Sequence, residues 1–174
     1  MSSRLEKSDI AQFLFCSSIL EEQVYKAYES LADRVTNIQI SKLLRSIAAD
    51  SKKHSLLLEV LSESVEKVNP SEIDCGKMMG DAWSKLEKLA KAEAYSTTEK
   101  LNLFELIDNM STLESYLGEE YLSATQLILT VLSLKESGLE QDQIKSIIEW
   151  IIEDEERHVK IIQAISTTVT KGDI

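Results

Sequence analysis

The sequence predicts an all-α fold, a bundle of four long helices arranged as two helical hairpins with a long crossover connection that contains an extra helix. Three observations predict it. Apolar residues recur at helical spacing over most of the 174 residues. One proline and five glycines occur in the whole chain, so long helices can run without interruption. The same hairpin pattern also occurs twice, in residues 20–54 and in residues 113–158.

The first predicted hairpin consists of two antiparallel helices joined by a short connection near Thr36. Its first helix spans residues 8–35 and carries Glu21 in the middle of its inner seam. Its second helix ends near Val68. The inner seam of the second helix is predicted as a heptad that combines apolar residues with an acid and an imidazole: Ile40, Leu43, Ile47, Asp50, His54, Leu57 and Leu61.

The second predicted hairpin consists of helices over residues 96–136 and 140–169. Between the hairpins, Pro70 and two glycines mark a connection of about thirty residues, with a further helix around Trp83. Helices of about 30 residues are about 45 Å long, so this connection is long enough to cross the bundle. Two hairpins joined by a long crossover are typical of the ferritin-like four-helix bundle.

Length, charge and cysteine content narrow the class of protein. A chain of this length with 43% hydrophobic residues predicts a single domain over residues 1–174. The net charge of −11 argues against nucleic acid as a partner, because phosphates require a basic surface. We find no membrane-spanning run and no signal peptide, and we expect a cytoplasmic protein that does not bind a membrane. Cys16 and Cys75 lack C-x-x-C spacing, and we expect them to be thiols.

Carboxylates and imidazoles occupy the predicted inner faces where apolar residues are expected. Glu155 and His158 are three residues apart, so both can point at one metal ion from the same helix face. A buried carboxylate must be hydrogen-bonded, paired, protonated or bound to a metal, because burying an isolated charge is costly. Carboxylates together with two imidazoles suit a pair of iron or manganese ions. The candidate metal ligands are Glu21, Asp50, His54, Glu114, Glu155 and His158.

The motifs resemble those of the rubrerythrin branch of the ferritin-like superfamily, and the resemblance covers essentially the whole bundle. Glu21 precedes Tyr28 by seven residues, and Glu114 precedes Tyr121 by seven. The string Glu155-Glu156-Arg157-His158 matches the E-x-x-H motif of that family. The resemblance implies that metal is bound by Glu21, His54, Glu114, Glu155 and His158.

The resemblance also implies an activity. It predicts a centre of two iron ions, with manganese or zinc as other possible metals, that oxidises Fe(II) while peroxide or dioxygen is reduced. The other expected partner is an external electron donor, and we expect no rubredoxin domain at the C-terminus. We further expect a homodimer or a higher homo-oligomer, and iron storage in a cage stays open.

One position departs from the family pattern. Ser51 stands three residues before His54, whereas Glu155 stands three residues before His158. Asp50 can compensate for the missing glutamate, since it lies one turn before His54, or it can be a purely structural residue. The sequence therefore leaves three alternatives: a complete two-metal site, a one-metal or weakened site, and a lost site. In the last case the bundle is a non-catalytic scaffold or oligomerisation protein.

Overall fold

The computed structural model describes residues 6–85, 107–115, 117–119, 121 and 141–168. All regular secondary structure in these residues is helical, so the all-α prediction is confirmed. No helix in these ranges is both long enough and apolar enough to cross a bilayer.

The first hairpin consists of two 28-residue helices, α1 (Lys7–Arg34) and α2 (Ile38–Val65), that pack against each other. At the start of α1, the side chain of Asp9 accepts a hydrogen bond from the backbone N–H of Glu6 at 2.9 Å. At the start of α2, the side chain of Asn37 accepts hydrogen bonds from two backbone N–H groups of the first turn. The short connection and the antiparallel pair agree with the sequence prediction, although α2 ends three residues earlier than predicted.

The buried face of α2 differs from the predicted heptad. Leu43 is exposed and Leu57 is half-buried, whereas Ser51 is fully buried and Asp50 lies at the edge of the buried face. The predicted and the observed stripes share Ile40, Ile47, His54 and Leu61. Between these shared positions, each buried residue lies one position later in the sequence than predicted. The observed stripe is Ile40, Leu44, Ile47, Ser51, His54, Leu58, Leu61 and Val65.

The crossover leaves α2 and contains short helices. A 3-10 turn (Pro70–Glu72) is followed by α3 (Cys75–Met79) and by helical residues 81–85. Asp74 caps α3 by accepting a hydrogen bond from the backbone N–H of Lys77. The prediction of an extra helix in the crossover is therefore confirmed.

A disulfide joins the crossover to the first hairpin. Cys16 of α1 and Cys75 of α3 are bonded, with a Cα–Cα distance of 5.2 Å, so the expectation of two thiols is wrong. The two cysteines are 59 residues apart in sequence, and they meet because the crossover returns alongside α1. Protein disulfides are rare in reducing compartments, so this bond does not favour the predicted cytoplasmic location. That location stays a prediction.

The second half of the chain contributes the other two long helices. The first, named α4, is described at residues 107–115, 117–119 and 121, and the second, α5, spans Gln141–Thr168 and packs against α2. The fourth predicted helix, over residues 140–169, is confirmed across the described residues 141–168. The predicted start of the third helix near residue 96 and its end near residue 136 lie outside the described residues.

Candidate metal centre

Five of the six candidate ligands converge in the centre of the bundle. They come from all four long helices, which place Glu21 on α1, His54 on α2, Glu114 on α4, and Glu155 with His158 on α5. All five side chains are fully buried, with at most 1% of their surface exposed. The repeated hairpin thus contributes matching residues from each half to one site.

The five side chains form two groups that share Glu155. In the first group, His54 Nδ1 lies 3.0 Å from Glu155 Oε1 and 3.8 Å from Glu21 Oε2. In the second, His158 Nδ1 lies 3.1 Å from Glu114 Oε2 and 3.6 Å from Glu155 Oε2. The ligand atoms within each group all lie within 4.8 Å of one another. Since its two oxygens serve different groups, Glu155 is placed to bridge two ions.

Buried polar atoms without a hydrogen-bond partner are concentrated in this region. Among the described residues, they belong to the two ligand groups and to neighbouring Tyr28 and Ser51. A buried polar atom that makes no hydrogen bond is costly, and each such atom in a folded protein calls for an explanation. The carboxylate oxygens and the imidazole nitrogen among them are the donor types that bind iron and manganese, so these residues fit a metal centre. The atoms are Glu21 Oε2, Tyr28 Oη, Ser51 Oγ, His54 Nδ1, Glu114 Oε1, Glu155 Oε1 and Glu155 Oε2.

Two aspartates lie at the outer edges of the imidazoles, each against the histidine of the other half. Asp154 Oδ2 lies 3.0 Å from His54 Nε2, and Asp50 Oδ2 lies 3.4 Å from His158 Nε2. A carboxylate at Nε2 holds the ring so that Nδ1 faces the cluster, an arrangement common around metal-bound histidines. The sequence made Asp50 a candidate ligand, but the structure places it outside both groups.

Basic side chains neutralise these two aspartates. Lys53 Nζ donates hydrogen bonds to Asp50 Oδ1 at 2.8 Å and to Asp154 Oδ2 at 2.7 Å, so it links the two halves of the site. Arg157 Nη2 also pairs with Asp154. The outer positions therefore carry roughly balanced charge.

The two tyrosines of the repeat lie beside the cluster. Tyr121 donates a hydrogen bond from its hydroxyl to Glu21 Oε1 at 2.8 Å, which ties α4 to α1. The Tyr28 hydroxyl is buried and interacts with the carboxylate of Glu114, but it makes no well-aligned hydrogen bond in the described part of the structure. Burial raises the pKa of both hydroxyls well above its ordinary value, and the charge of a nearby glutamate adds to the effect.

The clustered carboxylates perturb one another. Burial, followed by the charges of Glu114 and Glu21, raises the pKa of Glu155 well above its ordinary value. Burial lowers the pKa of His54, but the close carboxylates of Glu155 and Glu21 outweigh this effect and raise that pKa to about 9. Without a cation, bound protons must therefore offset the negative charge of these buried groups. A bound metal cation would displace those protons.

An open cavity of about 410 Å³ lies between α4 and α5 and reaches the cluster. Its lining includes the buried Glu114 and Glu155, and the exposed Glu119 and Glu156 lie where it meets solvent. Gly118 also lines it, and a Cβ added there would lie 3.5 Å from Glu155 Cβ. That contact is an ordinary one, but a side chain longer than alanine would extend into the cavity, so glycine keeps this path to the carboxylates open.

Comparison with known proteins identifies the family. The family model of rubrerythrin matches residues 12–166, which is most of the chain and includes every residue of the two ligand groups. The chain belongs to the rubrerythrin family. The resemblance drawn from the repeated motifs is thereby confirmed, and so is the ferritin-like bundle that it implied. A search of curated proteins gave no match to this rubrerythrin-family chain. A search of solved structures gave no match either.

The sequence of this rubrerythrin-family protein did not lead us to predict that each aspartate pairs with the histidine of the other half. The signal was present, because Asp50 precedes His54 by four residues and Asp154 precedes His158 by four. That spacing indicates a shared role for both aspartates. Only helix packing shows that each partners the histidine of the other half.

Proposed function

We propose that this protein binds two iron ions, with manganese as the alternative metal, and couples oxidation of Fe(II) to reduction of peroxide or dioxygen. The observation that carries the proposal is the shared position of Glu155, whose two oxygens face two separate buried groups of carboxylate and imidazole. Membership of the rubrerythrin family supports it further. Zinc fits the same donors but cannot take part in the redox step.

Each side chain of the site has a role in this proposal. In one group Glu21 and His54 would hold the first ion, in the other Glu114 and His158 would hold the second, and Glu155 would be common to both. Asp50 and Asp154, which lie at the outer Nε2 edges of the two rings, orient the two imidazoles. Bound iron would supply the Lewis acid and the electrons that reduction of peroxide requires.

The protein also controls what reaches the site. The ligand groups are fully buried, which excludes bulk water, and the cavity beside Gly118 is wide enough for peroxide or dioxygen. No buried acid or base beyond the cluster is needed to bind so small an oxidant. We propose that an external donor returns the electrons and that the chain works as a homo-oligomer.

The direct test is rapid mixing of the Fe(II)-loaded protein with peroxide or with dioxygen, following the absorbance of the oxidised centre. We expect oxidation much faster than that of free Fe(II), with one oxidant clearly preferred. Glu149→Ala, which removes a half-exposed carboxylate of α5, is the matched control and should react like the wild type. Iron that binds but oxidises no faster than free Fe(II) would contradict the proposed activity. A chain that binds no metal would favour the scaffold alternative.

A further inference from the structure

The two halves of the site are unequal, because the first half lacks one carboxylate that the second half has. Ser51 stands on α2 three residues before His54, at the position that Glu155 holds on α5 before His158. Its side chain is fully buried, and its Oγ has no hydrogen-bond partner among the described residues. Asp50 does not replace the missing group, because its carboxylate lies at the outer Nε2 edge of His158.

The charge of the cluster shows the same deficit. Three glutamates would surround two divalent cations, and neutral imidazoles add no charge. Asp50 and Asp154 do not change this balance, because basic side chains neutralise them at the outer edges. One positive charge would therefore stay uncompensated in a fully buried site, where an unpaired charge is costly.

We propose that a small carboxylate anion, such as formate or bicarbonate, binds beside Ser51 and completes the ligand set of the cluster. This inference rests on the proposed two-metal function. The serine hydroxyl lies at the position of the glutamate γ-methylene, so the missing group is one carboxylate, and formate has about the size of that carboxylate. The Ser51 hydroxyl can donate a hydrogen bond to one anion oxygen, which gives this buried group the partner that it lacks.

The anion has a route into the bundle. The cavity between α4 and α5 reaches Glu114 and Glu155, and its volume of about 410 Å³ exceeds that of a small carboxylate. Ser51 does not line this cavity and is itself fully buried, so we expect only a small acid to fit between the cavity and Ser51. The inference therefore predicts selection by size as well as by charge.

The test is titration of the metal-free 174-residue chain with Co(II), whose absorption bands report on its ligands. The titration is performed without added anion, with formate, with bicarbonate and with benzoate. We expect formate, bicarbonate or both to raise the affinity for Co(II) about tenfold, which is the effect of a metal ligand or of a group that orients one. The same anion should shift the Co(II) absorption bands. Benzoate should have no effect. The small anion that has the stronger effect, formate or bicarbonate, is the better candidate for the natural ligand.

Variants show whether Ser51 is the position of the anion. Ser51→Glu should bind Co(II) tightly without formate and should no longer respond to it. Ser51→Ala keeps the space but removes the hydroxyl, so it should respond to formate only at clearly higher concentrations. This variant keeps the inference testable if the glutamate variant does not fold, because a response identical to that of the wild type would overturn the position beside Ser51. Ser46→Glu places the same charge at an exposed serine of α2 and should respond as the wild type does.

The outcomes separate this inference from the proposed function. Two Co(II) ions that bind equally well with and without the small anions would overturn the inference and leave the two-metal site standing. Formate that acts equally on Ser51→Glu would also overturn it, because the anion would then bind elsewhere. A chain that binds no Co(II) under any condition would overturn both.

Discussion

His54 Nδ1 lies 3.0 Å from Glu155 Oε1, so a histidine of the first hairpin faces a glutamate of the second. The other oxygen of Glu155 lies 3.6 Å from His158 Nδ1 in its own half. The first group is therefore incomplete until the two hairpins pack together. Because that group needs ligands from both hairpins, the metal centre should report directly on assembly of the bundle.

The two tyrosines of the repeat should differ in their contribution to stability. Tyr121→Phe removes the hydrogen bond to Glu21 Oε1 and leaves a buried acceptor without its donor, which should cost about 1–3 kcal/mol. Tyr28→Phe removes a hydroxyl that makes no well-aligned hydrogen bond in the described residues, and it should cost clearly less. Urea unfolding of the metal-free variants measures both. Equal losses in the two variants would contradict this difference between the two hydroxyls.

Gly118 should control access to the cluster. Gly118→Leu places a branched side chain in the cavity beside Glu155, so peroxide should react at least several-fold more slowly with the Fe(II)-loaded protein. The amount of bound metal should stay unchanged, because Gly118 provides no ligand. Gly118→Ala is the matched control, since a Cβ there makes an ordinary contact of 3.5 Å. An unchanged rate in Gly118→Leu would mean that the oxidant takes another path.

The disulfide should stabilise the fold without affecting the metal ligands. Closing a chain of 59 residues restricts the unfolded state and is worth about 4 kcal/mol at 25 °C in the chain-entropy model. Replacing Cys16 and Cys75 together by alanine should lower the melting temperature, and a reductant should lower that of the wild type in the same direction. The double variant serves as the control, because reductant should not change it. A wild type that melts identically with and without reductant would contradict this pairing.

The repeated motifs allowed the buried ligands to be predicted from the sequence. A glutamate or histidine that recurs in an apolar stripe must be satisfied by a partner, and the repeat placed matching partners in both halves. For this reason Glu21, His54, Glu114, Glu155 and His158 could be predicted as candidate ligands, and the structure brings all five together in the core. Their convergence depends on the bundle topology, which the two hairpins and the long crossover already indicated.

The register of α2 could not be predicted in the same way. Leucine occupies both 43 and 44, and again both 57 and 58, so hydrophobicity does not distinguish two stripes that differ by one position. The choice decides whether Asp50 or Ser51 faces the core, and packing against the other helices selects Ser51. The disulfide was missed because its two cysteines meet only through the path of the crossover.

Glu155 provides the most direct test of the central claim, which is that one buried glutamate is shared by two metal sites. The measurement is anaerobic titration of the metal-free chain with Fe(II), with the stoichiometry confirmed by elemental analysis. We expect the wild type to bind two Fe(II) ions per chain, since each ligand group supplies three donors. Glu155→Ala should weaken both ions together, because both groups lose their common ligand, whereas Glu149→Ala should bind as the wild type does. A wild type that binds no Fe(II), or a Glu155→Ala variant that still binds two ions tightly, would contradict the account.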